Sequence, residues 1–137
     1  MAAVRICLLA LILAVAGFAA QAKDSLRHVD NAALAELIGR GVPVVDIRTP
    51  PEWGQTGIVK GAHRIMAFDE RGKLAPDFIE RLAKVAGPDD EVVLICRTGN
   101  RTRLLGTALS EQLGYSKVYN VEKGIVRWIG EGRPVEK

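Results

Sequence analysis

Cys96, Arg97, Thr98, Gly99, Asn100 and Arg101 place one thiol, a glycine-bearing turn and two guanidinium groups within six consecutive residues, and Thr102 adds a hydroxyl. A thiol is a nucleophile only as its thiolate, and nearby positive charge favours that anion. Gly99 frees the backbone to turn tightly, while Thr98 and Asn100 tolerate turn conformations. Such a loop can aim successive N–H groups at one point and form an anion-binding nest. A helix starting near Arg101 or Thr102 would present its positive end to the same point. A lone cysteine is often an inert core residue. The two arginines and the glycine turn favour a reactive Cys96 instead.

Positioning this loop requires a sheet and helices. Residues 91–96 form a nearly continuous apolar, β-branched run without alternation, which predicts a central strand buried on both faces. Cys96 ends that strand, and in open parallel sheets sites gather beyond the carboxyl ends of the strands. Further strands are predicted over 42–47, 62–65 and 117–121, with a short edge strand over 26–29, and Thr49-Pro50-Pro51 reads as a turn. Asp30 can cap a helix whose apolar face is Ala33, Leu34, Leu37 and Ile38, stopped by Gly39 and Gly41. Pro76 suits the first turn of a second helix carrying Phe78, Leu82 and Val85. Leu104, Leu105, Ala108, Leu109 and Leu113 predict the buried stripe of a third helix, closed by Gly114. A short last helix spans 125–130. Alternating strands and helices imply an α/β domain with a mainly parallel sheet.

The chain has 137 residues, enough for one domain, with 48% apolar and 26% charged residues. Its formal charge of +3 is too small and too dispersed to argue for nucleic acid. The N-terminus is of another kind. Arg5 precedes an apolar stretch over 6–20, and Ala20-Gln21-Ala22 offers small residues before Lys23. This pattern predicts a secretory signal peptide over 1–22 and a mature domain over 23–137. A retained anchor is the alternative, but the uncharged stretch of 17 residues sits at the lower limit for spanning a bilayer. Cys7 falls in the discarded segment, so Cys96 is the mature chain's one cysteine. That leaves no internal disulfide, and the compartment expected is the bacterial periplasm.

The loop from Cys96 to Arg101 resembles the active-site loop of single-domain rhodaneses, in which a Cys and an Arg bracket a short cradle. Asp46-Ile47-Arg48 followed by Glu52-Trp53, then Gly61-Ala62, resemble further family segments. So do Gly114-Tyr115, Val118 to Val121, Gly124-Ile125, Trp128, Gly132 and Pro134-Val135. The likeness runs through essentially all of the mature chain. Two places depart from it. Residues 56–60 lack the family's usual histidine, and Lys123 stands where a second glycine is frequent.

The resemblance implies a rhodanese-like single domain with a mainly parallel sheet of about five strands and helices on both faces. It implies a sulfurtransferase that moves sulfur through a Cys96 persulfide from thiosulfate or a similar donor to cyanide or a thiol. Arg97, Thr98, Gly99, Asn100 and Arg101 would form the anion-binding loop, with Asp46, Arg48 and Thr102 supporting it. No cofactor and no metal are implied. His28 and His63 are the two histidines, a preformed thiolate needs no general base, and His63 is read as a surface or turn residue. The partners implied are a small sulfur donor, a thiophilic acceptor and, as a further candidate, an accepting protein. Nucleic acid and stable membrane insertion after cleavage are not among them. Three rivals stay open. A sulfur carrier or binding module would turn over small donors poorly. An oxidation sensor would have to form intermolecular disulfides. A cysteine phosphatase of the related fold needs a loop one residue longer, and here Thr102 occupies the position of its arginine.

Overall fold

The structure, a computed structural model, describes residues 25–137; the leader expected over 1–22 lies outside the described residues. In chain order the elements are β1 (Leu26–Val29), α1 (Asn31–Gly39), β2 (Val44–Asp46), α2 (Pro50–Thr56), β3 (Ile58–Val59), β4 (His63–Arg64), α3 (Phe78–Ala83), β5 (Glu91–Ile95), α4 (Asn100–Leu113), β6 (Lys117–Val121), α5 (Gly124–Gly130) and β7 (Val135–Glu136). Five strands form an all-parallel sheet in the order β1-β6-β5-β2-β4, with the five helices around it.

Strand side chains alternate between faces, so each strand feeds two cores. From β5, Val92 and Leu94 enter one cluster with Leu105 and Leu109 of α4 and Phe78 and Leu82 of α3. Val93 and Ile95 enter the other, with Leu34 and Leu37 of α1 and Ile125 and Trp128 of α5. This double burial is why the β5 sequence lacks alternation, and each such side chain contributes roughly 1.5–3 kcal/mol. The same alternation puts Leu26 of β1 and Val118 of β6 in the α4-side cluster. It therefore aims His28 and Asn120, two residues further along, toward that same face. The register pairs His28 with Asn120 directly.

Several expectations need correction. The Thr49-Pro50-Pro51 segment starts a helix rather than forming a simple turn. Glu52 accepts from the Thr49 backbone N–H at 3.0 Å in a capping box, and proline fits the first turn because its missing N–H would go unused there. Pro76 precedes the α3 helix, which begins at Phe78 after the Asp77 cap. The helix carrying the loop begins at Asn100, and its buried stripe is Thr102, Leu105, Gly106 and Leu109. Leu104 and Leu113 face outward at 62% and 44% exposure. Gly106 lies against β1, where a Cβ would sit 2.6 Å from Leu26 Cδ1, so the small residue lets the helix approach the sheet. The chain's end, Val135–Glu136, pairs antiparallel with Ile58–Val59, a contact with no local signal.

Candidate active site

Cys96 follows the last residue of β5 and is 1% exposed. Its Sγ accepts the Gly99 backbone N–H at 3.1 Å and lies 3.4 Å from Thr102 Oγ1. Gly99 caps α4 with φ +89, a left-handed conformation that glycine adopts without strain. A Cβ there would lie 3.0 Å from Val121 O and 3.1 Å from Lys123 N. The loop is thus wrapped tightly over the turn that follows β6.

That turn also fixes which way the loop's amides point. Ile125 N donates to Cys96 O at 2.9 Å, and Val126 N donates to Arg97 O at 3.2 Å. These are N–H groups from the first turn of α5, which have no partner within their own helix. With the Cys96 and Arg97 carbonyls satisfied from behind, the loop turns the Gly99 N–H toward the sulfur. Gly124, at φ +56, sits so close that a Cβ would overlap Cys96 O and Arg97 O. Lys123, at φ +59, holds the left-handed conformation beside it although it carries a side chain.

The remaining expected residues fall into two sets. Arg97, Thr98 and Asn100 are exposed at the rim, while Thr102 is fully buried. Arg101 turns away from open solvent and grips Glu52 through two bonds, Nη2 to Oε1 at 2.6 Å and Nη1 to Oε2 at 3.0 Å. This hydrogen-bonded guanidinium holds the Glu52 carboxyl down at about 2. Asp46 and Arg48 form a buried ion pair at 2.8 Å at the end of β2. Arg48 also donates to Thr56 Oγ1 and Gly57 O, both at 2.8 Å, and Trp53 Nε1 donates to Asp46 Oδ1 at 3.1 Å. The pair therefore clamps α2 to the sheet, and α2 carries the Glu52 that holds Arg101. Support passes in sequence from Asp46 through Arg48, α2 and Glu52 to the loop.

Three residues that contact the loop or its partners were not named as site residues from sequence. Glu52 was visible only as part of a family segment. Asn120 bonds Thr102 at 2.5 Å between Oδ1 and Oγ1, and His28 Nδ1 lies 3.0 Å from Asn120 Nδ2. An amide in an otherwise apolar strand, Val118 to Val121, was the available signal for the last two. His63 is exposed on β4. Trp128 is buried and Trp53 half-buried, both packed against the α1/α5 core.

A parallel sheet carrying a cysteine loop between a central strand and a helix, backed by an arginine–carboxylate clamp, defines an α/β domain built around one sulfur. The chain belongs to the rhodanese-like domain family, which matches residues 30–131. A sulfurtransferase from Allochromatium vinosum is 30% identical over 112 residues, covering 80% of this chain and 94% of its own. Thiosulfate sulfurtransferase 18 from Arabidopsis thaliana is 27% identical, covering 82% and 85%. The crystal structure of a rhodanese-related protein from Thermoplasma volcanium superimposes with a TM-score of 0.62 at 33% identity, covering 80% and 97%.

Proposed function

We propose that this protein is a sulfurtransferase in which Cys96 carries the sulfur. The Cys96 thiolate attacks the outer sulfur of thiosulfate or a similar donor. A new S–S bond forms, the bond to the sulfonate group breaks, and its electron pair leaves with sulfite. Cyanide or a thiolate then attacks the outer sulfur of the persulfide, and the Cys96 thiolate is the leaving group. This is covalent catalysis by an activated nucleophile. The observation that carries the reading is the Gly99 N–H bonded to a cysteine sulfur at the positive end of the fourteen-residue helix α4. Family membership and the names of the relatives support it. Arg97, exposed at the rim, supplies attraction for an anionic donor, whereas Arg101 is committed to Glu52.

The loop geometry favours this over a phosphatase. The position of the phosphatase arginine holds Thr102, whose buried hydroxyl lies against the sulfur. Export to a periplasm-type compartment belongs to the same proposal. N-terminal sequencing of the exported protein should begin at Lys23, and a start at Met1 would refute export by cleavage. Turnover separates an enzyme from a carrier. Thiocyanate should form catalytically from thiosulfate and cyanide with the wild type and fall to background with Cys96→Ser. Stoichiometric sulfur uptake without turnover would place the protein as a carrier.

A further inference from the structure

Thr102 has one hydroxyl hydrogen and faces three groups that can accept it. Its Oγ1 lies 2.5 Å from Asn120 Oδ1, 3.1 Å from Gly99 O and 3.4 Å from Cys96 Sγ. An amide oxygen cannot donate, so the short contact to Asn120 requires the hydrogen to lie between those two oxygens. Cys96 Sγ then meets only lone pairs of Oγ1. That suits a thiol, whose S–H can donate, and opposes a sulfur anion. The other end of the same amide, Asn120 Nδ2, donates to His28 Nδ1 at 3.0 Å, so Nδ1 is an acceptor in this arrangement. Every donor in the row points from Cys96 toward Thr102, or onward from Thr102 through Asn120 to His28.

Resting on the proposed role of Cys96, we propose that Asn120 and His28 are positioning residues for its sulfur, through a hydrogen-bond wire, Cys96–Thr102–Asn120–His28, that reverses direction when Sγ loses its hydrogen, whether as the thiolate or as the persulfide, whose charge lies on the outer sulfur. In the reversed state Thr102 donates to sulfur, the Asn120 amide is turned over so that Nδ2–H donates to Thr102 Oγ1, and His28 Nδ1–H donates to Asn120 Oδ1. Sulfur loses one proton to water, Nδ1 takes one from water, and no other covalent bond changes. His28 is exposed beside a cleft of about 440 Å³, so its ring is in contact with solvent. The sheet makes the wire possible, because parallel register sets His28 against Asn120 and strand alternation aims both toward α4. The charged groups around the cleft are Arg103 of α4 and Glu122 and Lys123 of the turn after β6. On the sulfur side stand Arg97 and Arg101, with Asp46 and Glu52 behind Arg101.

The test uses the protein with reduced Cys96 and again after persulfidation with thiosulfate, with sulfur uptake checked by intact mass. Long-range 1H–15N spectra should show His28 Nδ1 changing from a bare, pyridine-like nitrogen to an N–H nitrogen on persulfidation. His63 should not change, nor should His28 in thiosulfate-treated Cys96→Ser. Alkylation by neutral iodoacetamide at pH 7.5 gives a second reading. His28→Leu should slow it about fivefold, the worth of one ordinary hydrogen bond in the wire. His28→Asn, whose amide can turn together with Asn120, should stay near the wild-type rate. A persulfidated wild type with unchanged His28 nitrogens, or a His28→Leu protein alkylated at the wild-type rate, would overturn the wire and leave sulfur transfer standing. A wild type that takes up no sulfur would overturn both.

Discussion

Cys96 owes its setting to residues of two ranges, and this governs how much of the site could be read from the chain. The loop from Arg97 to Arg101 is contiguous, so residue type and spacing announced it. The partners that act on it are remote. Arg101 finds Glu52 across 49 positions, and Thr102 finds Asn120 across 18. A hydroxyl in the first turn of a helix and an amide near the end of a strand are common residues, and only the packing of α4 on β6 gives them a joint meaning. The Glu52–Arg101 pair also makes a quantitative expectation possible. Its carboxyl sits near 2 when folded, against 4.5 as its ordinary value. A depressed carboxyl stabilises fully above the unfolded value, and that stability is lost as pH falls through the folded value. After screening of this partly exposed pair, Glu52→Gln should cost about 1–2 kcal/mol at pH 7. The difference from wild type should shrink between pH 4.5 and about 2, as read by urea denaturation at several pH values. A difference independent of pH would contradict the ion pair's role.

At the scale of elements, burial on both faces made β5 legible as a continuous apolar run, and burial of one face made α1 legible through its helical period. Helix α2 was misread because Pro50-Pro51 looks like a turn, although Thr49 with Glu52 three residues later is a helix-start signature. The α4 stripe was misassigned because hydrophobicity alone favours Leu104 and Leu113 over Thr102 and Gly106. The hydroxyl at 102 lies against the Cys96 sulfur and the Asn120 amide, and close packing on Leu26 leaves no room for a side chain at 106. The Asp46–Arg48 clamp belongs to this scale, since it joins β2 to α2. Arg48→Leu would leave a fully buried Asp46 carboxylate without its cation and should destabilise by about 3–5 kcal/mol. Equilibrium denaturation measures that loss. A variant as stable as wild type would mean that the pair does not hold α2.

For the molecule as a whole, fold and family were legible from the order of strands and helices and from segments scattered along the chain. The closure of the C-terminus was not. Two-residue pairing of Val135–Glu136 with Ile58–Val59 is set by where the folded chain ends up, not by local preference. Two cores and, among the described residues, a single thiol at the end of the central strand make a direct test possible. Intact mass spectrometry should follow the folded protein through thiosulfate and then cyanide, beside Cys96→Ser. The account expects the mass of one sulfur atom to be gained by the wild type alone and lost again on cyanide. A folded, freshly reduced wild type that gains no sulfur, or a Cys96→Ser protein that gains it equally, would contradict sulfur transfer at Cys96.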